Sequence, residues 1–191
     1  YSWTGGRVGW AIFPTEEEAS GFRNLNINYF SCMPAYNQEA ARVAITSPES
    51  VTYVEEMKSA FQARRDVVVN ALNEIEGISC QMPRGAFYVF PNIAGVCESI
   101  GVIEAFASLP RETRERTSPS TLFQLFLLFR YHVATMDRRS FGRIGADDKH
   151  YIRISVATAL EDLEEAMVRI GAASADRDGF AEFFAEGRYR Y

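Results

Sequence analysis

The chain has 191 residues, 47% of them hydrophobic and 24% charged, with a net charge of −5. That is ordinary globular composition for one domain or one and a half, long enough to bury a real core. The acidic balance offers no basic face and argues against a nucleic-acid partner, and no apolar run approaches the roughly 18 residues of a membrane span.

Taken in chain order, Tyr1 to Pro14 holds a glycine-rich turn, Thr4-Gly5-Gly6-Arg7-Val8-Gly9, that runs into an apolar strand, Trp10-Ala11-Ile12-Phe13. Thr15-Glu16-Glu17-Glu18 reads as an N-cap with an acidic first turn, opening a helix to about Asn24. Asn26 to Asn37 reads as irregular and rich in aromatics, and Gln38 to Ile45 as a short helix. Ser47-Pro48-Glu49 then starts a long helix. Its stripe is Val51, Val54, Met57, Phe61, Val68, Leu72 and Ile75, and Gly77 ends it.

Ile78–Gln81 and Ala86–Phe90 read as strands joined by the turn Met82-Pro83-Arg84-Gly85. The segment Arg111–Arg116 alternates in charge and reads as a solvated loop or short helix. Ser118-Pro119-Ser120 caps a buried helix over Thr121–Tyr131, and Val133–Met136 is a short strand. Asp137–His150 reads as a long loop that includes Phe141-Gly142 and Ile144-Gly145. Tyr151–Ala157 alternates as a strand does, and helices over Leu160–Ala172 and Asp176–Glu186 close the chain. Helices and strands alternate throughout, so the fold class is α/β or α+β with a small sheet flanked by helices.

Cys32, Cys80 and Cys97 match no redox or metal spacing, and with His132 and His150 as the only histidines no metal site is expected. The cysteines read as small buried hydrophobes in a reducing, cytoplasmic setting. The first residues carry no signal-peptide pattern, and a chain opening on Tyr1 rather than methionine reads as a piece of something longer.

Four features could carry chemistry. In Thr4-Gly5-Gly6-Arg7, glycines that turn N–H groups inward sit beside a planar guanidinium, a cradle for phosphate or carboxylate. The plainer reading is a tight turn with Arg7 on the surface. Arg153 sits mid-strand between Ile152 and Ile154, where it must reach water, a carboxylate or a ligand. Its plainer reading is a rim arginine paired with an acidic side chain. Pro83–Tyr88 is either core packing or a substrate wall, and Arg138-Arg139 either an anion contact or a solvated charge pair.

Taken together, these residues carry a resemblance. The run Tyr1–Ala11, with Thr4-Gly5-Gly6-Arg7-Val8-Gly9, resembles the segment after the cofactor-bearing lysine in class I/II aminotransferases of fold type I. That family reads Ser-Lys, two or three residues, then Thr-Gly-X-Arg-X-Gly. Further matches follow in order: Pro34 with Gln38, Arg64-Arg65-Asp66, Pro83-X-Gly85-Ala86-Phe87-Tyr88 with Phe90-Pro91, Val133-Ala134 ahead of Phe141-Gly142, Ile152-Arg153-Ile154-Ser155, and Ala166–Ile170. One departure is Asp137-Arg138-Arg139-Ser140, where the family carries a Pro-Gly turn.

The resemblance implies an α/β fold: the C-terminal small domain of the fold type I PLP-dependent transferases, plus the last elements of the large domain. Residues 1–47 would be the large-domain remnant, and 48–191 the small domain with its linking helix. It implies pyridoxal 5'-phosphate (PLP) as the parent protein's cofactor. Arg7 would be the partner of the PLP phosphate, and Arg153 the bidentate grip on the substrate α-carboxylate.

It assigns no catalytic residue to this chain, because the cofactor-bearing lysine would precede Tyr1, so the isolated chain is expected to be inactive. The stretch Asn28–Ser31 resembles a loop that approaches the neighbouring subunit's site. The implied reaction moves an amino group between an amino acid and a 2-oxo acid. The implied partners are those small molecules and either a second copy or the rest of the same protein. Two other functions use the same fold: the ligand-sensing half of a transcription regulator and a PLP carbon–sulfur lyase.

Overall fold

The computed structural model describes residues 1–142 and 149–189. The described chain divides into two compact units, Tyr1–Ser59 and Ala60–Tyr191.

The first unit is helical. Helix α1 spans Glu16–Phe30, with the Thr15 hydroxyl accepting from the Glu18 N–H at 3.3 Å. It runs six residues past the expected end at Asn24 because Leu25–Phe30 contains no glycine or proline to stop it. It closes at Ser31, whose φ of 63° is left-handed. Helix α2 spans Ala35–Thr46 and starts behind Pro34. The expected strand at Trp10–Phe13 is absent: the segment has no regular secondary structure, since no described strand pairs with it.

Helix α3, Glu49–Asn73, has 25 residues, and the unit boundary falls within it. The apolar stripe is buried only toward its C-terminal end, at Val68 and Leu72, while Val51 stays 67% exposed. Gly77 follows with φ 83°, and its carbonyl accepts from the Val96 N–H at 3.3 Å.

The second unit contains every buried apolar residue among those described. Its centre is α7, Pro119–Tyr131, where Ser118 accepts from the Thr121 N–H at 3.1 Å and Pro119 takes the first turn. Leu122, Phe123, Phe126 and Leu127 are fully buried. Phe126 meets Phe180 edge-on at 5.4 Å and Phe183 at 5.6 Å, both on α9, Arg177–Glu186. Helix α8, Leu160–Ala175, adds Leu163, Met167, Ile170 and Ala173 at helical spacing. Short helices α4 (Ala94–Ser99), α5 (Val102–Ser108) and α6 (Arg111–Arg114) fill the middle of the chain. The Arg111–Arg116 segment is thus a short helix and turn, laced by Arg111–Glu115 and Arg116–Glu112 pairs.

The sheet is three-stranded and antiparallel, in the order β1 (Tyr88–Val89), β3 (Ile152–Ser155), β2 (Met136–Asp137). Its strands are shorter than expected. Ile78–Gln81 contributes one bridge, Ser79 to Asn92, rather than a hairpin with Ala86–Phe90. Instead β1 pairs with β3, Tyr88 opposite Ser155 and Val89 opposite Ile154. Of the long loop expected over Asp137–His150, Arg138–Phe141 forms a 3₁₀ turn, and Ile144-Gly145 lies outside the described residues.

Candidate functional site

On β3, Ile152 and Ile154 are buried, so the two-residue period puts Arg153 on the opposite face. The register sets its neighbours: Met136 on β2 lies directly across from it, and Tyr88 on β1 lies opposite Ser155, two residues further along on the same face. Its Nη2 lies 2.7 Å from the Met136 sulfur. Its guanidinium carbon lies 4.1 Å from the centre of the Tyr88 ring and 5.0 Å from that of Phe141. No carboxylate among the described residues is within ion-pair distance of this part-buried cation. The reading of Arg153 as a rim arginine paired with an acidic side chain therefore has no counterpart here. The guanidinium keeps donors for a planar anion.

The aromatic neighbours are themselves fixed. Phe90 meets Phe141 edge-on at 5.9 Å and stacks on Tyr151 at 5.2 Å. Tyr88 lies against Phe87 at 4.4 Å, and Phe87 against Phe61 of α3 at 6.1 Å. Sequence reasoning singled out Phe87-Tyr88 but not the convergence of Tyr88, Phe141 and Met136 on Arg153. The alternation around Arg153 was visible; which strands flank it was not.

Phe141 is delivered by the departing segment. Asp137 is buried at 4% exposure, accepts from the Ser140 N–H at 3.1 Å and hydroxyl, and accepts from the Thr121 hydroxyl. Its side chain caps the 3₁₀ turn. Arg139 donates to the carbonyls of Thr117 and Glu115, and Arg138 to that of Gly142 at 3.1 Å. The Arg138-Arg139 pair is thus tied to backbone carbonyls.

Arg7 belongs to the first unit. Thr4–Gly6 forms a turn closed by the Gly6 N–H to the Trp3 carbonyl at 3.2 Å, and Asn37 donates to the Gly6 carbonyl at 2.9 Å. Arg7 follows with a left-handed φ of 48° and an exposed side chain. With Trp3, Thr4, Val8 and Gly9 it lines a shallow cleft of about 400 Å³. Among the described residues it too has no carboxylate partner. Asn28–Ser31 ends α1 with Tyr29 and Phe30 almost fully solvent-facing, at 79% and 77%.

The chain's two lysines are Lys58 and Lys149. Lys58 lies on α3 and pairs with Glu55 at 3.0 Å, and exposed Lys149 precedes β3. No group of three or more potential metal ligands occurs among the described residues. No described helix is long and apolar enough to cross a membrane.

Comparison with known proteins gives these features a family. A model described as "Aminotransferase class I and II" matches residues 1–170. An aspartate aminotransferase of Rhizobium meliloti (strain 1021) is 34% identical over 173 residues, which is 91% of this chain and 38% of that protein. A probable aspartate/prephenate aminotransferase of Aquifex aeolicus (strain VF5) is 32% identical over the same shares. Among solved structures, the aspartate aminotransferase of Rhizobium meliloti matches with a TM-score of 0.70 at 34% identity, covering 91% of this chain and 39% of that one. An aminotransferase from Mycobacterium tuberculosis matches with a TM-score of 0.67 at 30% identity, covering 88% and 38%.

The chain thus spans about 38% of the length of these curated relatives. The homologues are PLP-dependent. With the ordered motifs, the helical fold with its small sheet and the family match over 170 residues all in agreement, this chain belongs to the class I and II aminotransferases.

Proposed function

We propose that this chain is the C-terminal part of a PLP-dependent aminotransferase that moves an amino group between an amino acid and a 2-oxo acid. Residues 1–47 would close the large cofactor-binding domain, and residues 48–191 would form the small domain. The observation that carries the reading is Arg153, a part-buried strand arginine with aromatic neighbours and no acidic partner among the described residues.

Both arginines fit the anionic groups involved. Arg153 presents planar donors suited to an α-carboxylate, and holding that carboxylate fixes the direction of the substrate's Cα–H bond. Arg7, exposed beside the glycine turn, is suited to a phosphate. PLP, when bound, supplies the electron sink for chemistry at the amino acid's α-carbon. This chain's residues supply binding and orientation. The lysine that carries the cofactor and moves the proton belongs, on this reading, outside these 191 residues.

The partners are the amino acid, the 2-oxo acid, and a second copy or the rest of the same polypeptide. The apolar side chains left exposed in the first unit, such as Trp10 at 69% and Ile12 at 91%, support such a covering partner. Free Cys32, Cys80 and Cys97 support a reducing, cytoplasmic setting.

The test is amino-group transfer by the full-length protein, assayed over a panel of amino acids with 2-oxo acid acceptors. Expected is exchange that requires an acceptor, with Arg153→Ala lowering kcat/KM about 100-fold, as loss of charged hydrogen bonds implies. The 191-residue chain alone should give neither cofactor absorbance nor turnover. Ammonia and 2-oxo acid released without an acceptor would point to a lyase. Ligand-dependent DNA binding without turnover would point to a regulator.

A further inference from the structure

We propose that Tyr88 and Phe141 are positioning residues for Arg153, holding its guanidinium by their ring faces so that the N–H groups not turned to the Met136 sulfur stay free for a ligand carboxylate. This rests on the reading of Arg153 as the carboxylate anchor.

An arginine side chain is long and loses rotamer freedom of about 2 kcal/mol when fixed. The usual way to fix it is an acidic neighbour. At a carboxylate-binding site that solution competes with the ligand, because the neighbour takes the same donors and neutralises the charge. A ring face attracts the cation through its quadrupole and leaves charge and donors available. Arg153 has two such faces, at 4.1 Å and 5.0 Å, and no acidic neighbour among the described residues.

Core burial does not explain Phe141, which keeps 47% of its surface exposed. It is placed by the 3₁₀ turn that Asp137 caps and by its edge contact to Phe90. Tyr88 is placed by its register opposite Ser155 and by Phe87. Both rings are thus held by contacts independent of Arg153, as a positioning device requires.

The experiment uses the full-length, PLP-loaded protein and propionate as a carboxylate probe, with propionamide as the uncharged control. Tyr88→Leu and Phe141→Leu should each weaken propionate binding by roughly 3- to 30-fold, the range expected for a lost cation–π contact, and leave propionamide binding unchanged. Tyr88→Phe and Phe141→Tyr, which keep a ring face, should retain most of the affinity. A second readout is independent of ligand: the Arg153 side-chain δ protons should show an upfield ring-current NMR shift that each leucine variant reduces.

Propionate affinity unchanged in both leucine variants, with Arg153→Met abolishing it, overturns the positioning role alone. Affinity unchanged in Arg153→Met overturns the carboxylate reading beneath it. Should Tyr88→Leu fail to fold, the exposed Phe141 still decides between these results.

Discussion

At the residue scale, the chemistry of Arg153 depends on its fork as well as its charge. Arg153→Lys keeps the charge but loses the planar pair of donors, so carboxylate affinity should fall about 10-fold. Titration of the full-length variant with propionate measures this, and an unchanged affinity would show that charge alone suffices. Tyr131 offers a pH prediction. Burial first, and then its 2.7 Å hydrogen bond to Asp176, push its pKa from 10.0 up to about 12. A pKa raised on folding contributes stability that is fully present below the unfolded value and lost as pH rises through the folded one. Thermal stability should therefore drop between pH 10 and pH 12, and Tyr131→Phe should flatten that drop. A variant with the same pH profile as the parent would remove Tyr131 as its cause. Cys97, pushed up to about 12 by burial and then by Glu98, should react with alkylating reagents only after unfolding.

Arg153 was legible in the sequence because a mid-strand arginine between isoleucines needs an explanation. Its aromatic neighbours were not, since Tyr88 and Phe141 come from distant parts of the chain.

At the element scale, helices announced themselves through local signals. Thr15, Ser118 and the proline at 119 set helix starts where expected, because capping is decided within four residues. Two-residue strands such as β1 and β2 carry almost no periodicity, and their pairing is decided by distant partners, so the sequence pattern around Ala86–Phe90 points to a local hairpin where the fold pairs β1 with β3. Asp137 was legible as a departure from the family's turn. Its role as the cap of the 3₁₀ turn needed Ser140 and Thr121 in place.

Gly77 and Gly101 separate two reasons for glycine. Both have left-handed φ values, 83° and 86°. A Cβ on Gly77 would lie 2.6 Å from the Val96 nitrogen, whereas one on Gly101 would meet nothing closer than 3.9 Å. Gly101→Ala should cost about 1 kcal/mol, the backbone penalty alone, and Gly77→Ala about 2 kcal/mol more, because α4 must shift. Equal losses in denaturant unfolding would show that the close approach of Gly77 to the Val96 nitrogen contributes little.

At the scale of the whole molecule, the two units differ in how much apolar surface they bury. The second encloses a continuous core from Val68 on α3 to Phe183 on α9. In the first, no residue of α1 or α2 is buried. That contrast fits a chain that spans about 38% of its curated relatives, and it was only partly legible: the sequence showed aromatics at Tyr29, Phe30 and Tyr36, but exposure is a property of the fold.

The central reading gives the two arginines separate tasks, and one crossed titration tests it. The dissociation constants of PLP and of propionate are measured in the full-length protein and in its Arg7→Met and Arg153→Met variants. Expected is a PLP constant raised about 10-fold or more by Arg7→Met alone, and a propionate constant raised by a similar factor by Arg153→Met alone, as each loses a charged hydrogen-bonding partner. PLP affinity unchanged in Arg7→Met, or propionate affinity unchanged in Arg153→Met, would contradict the assignment of that arginine.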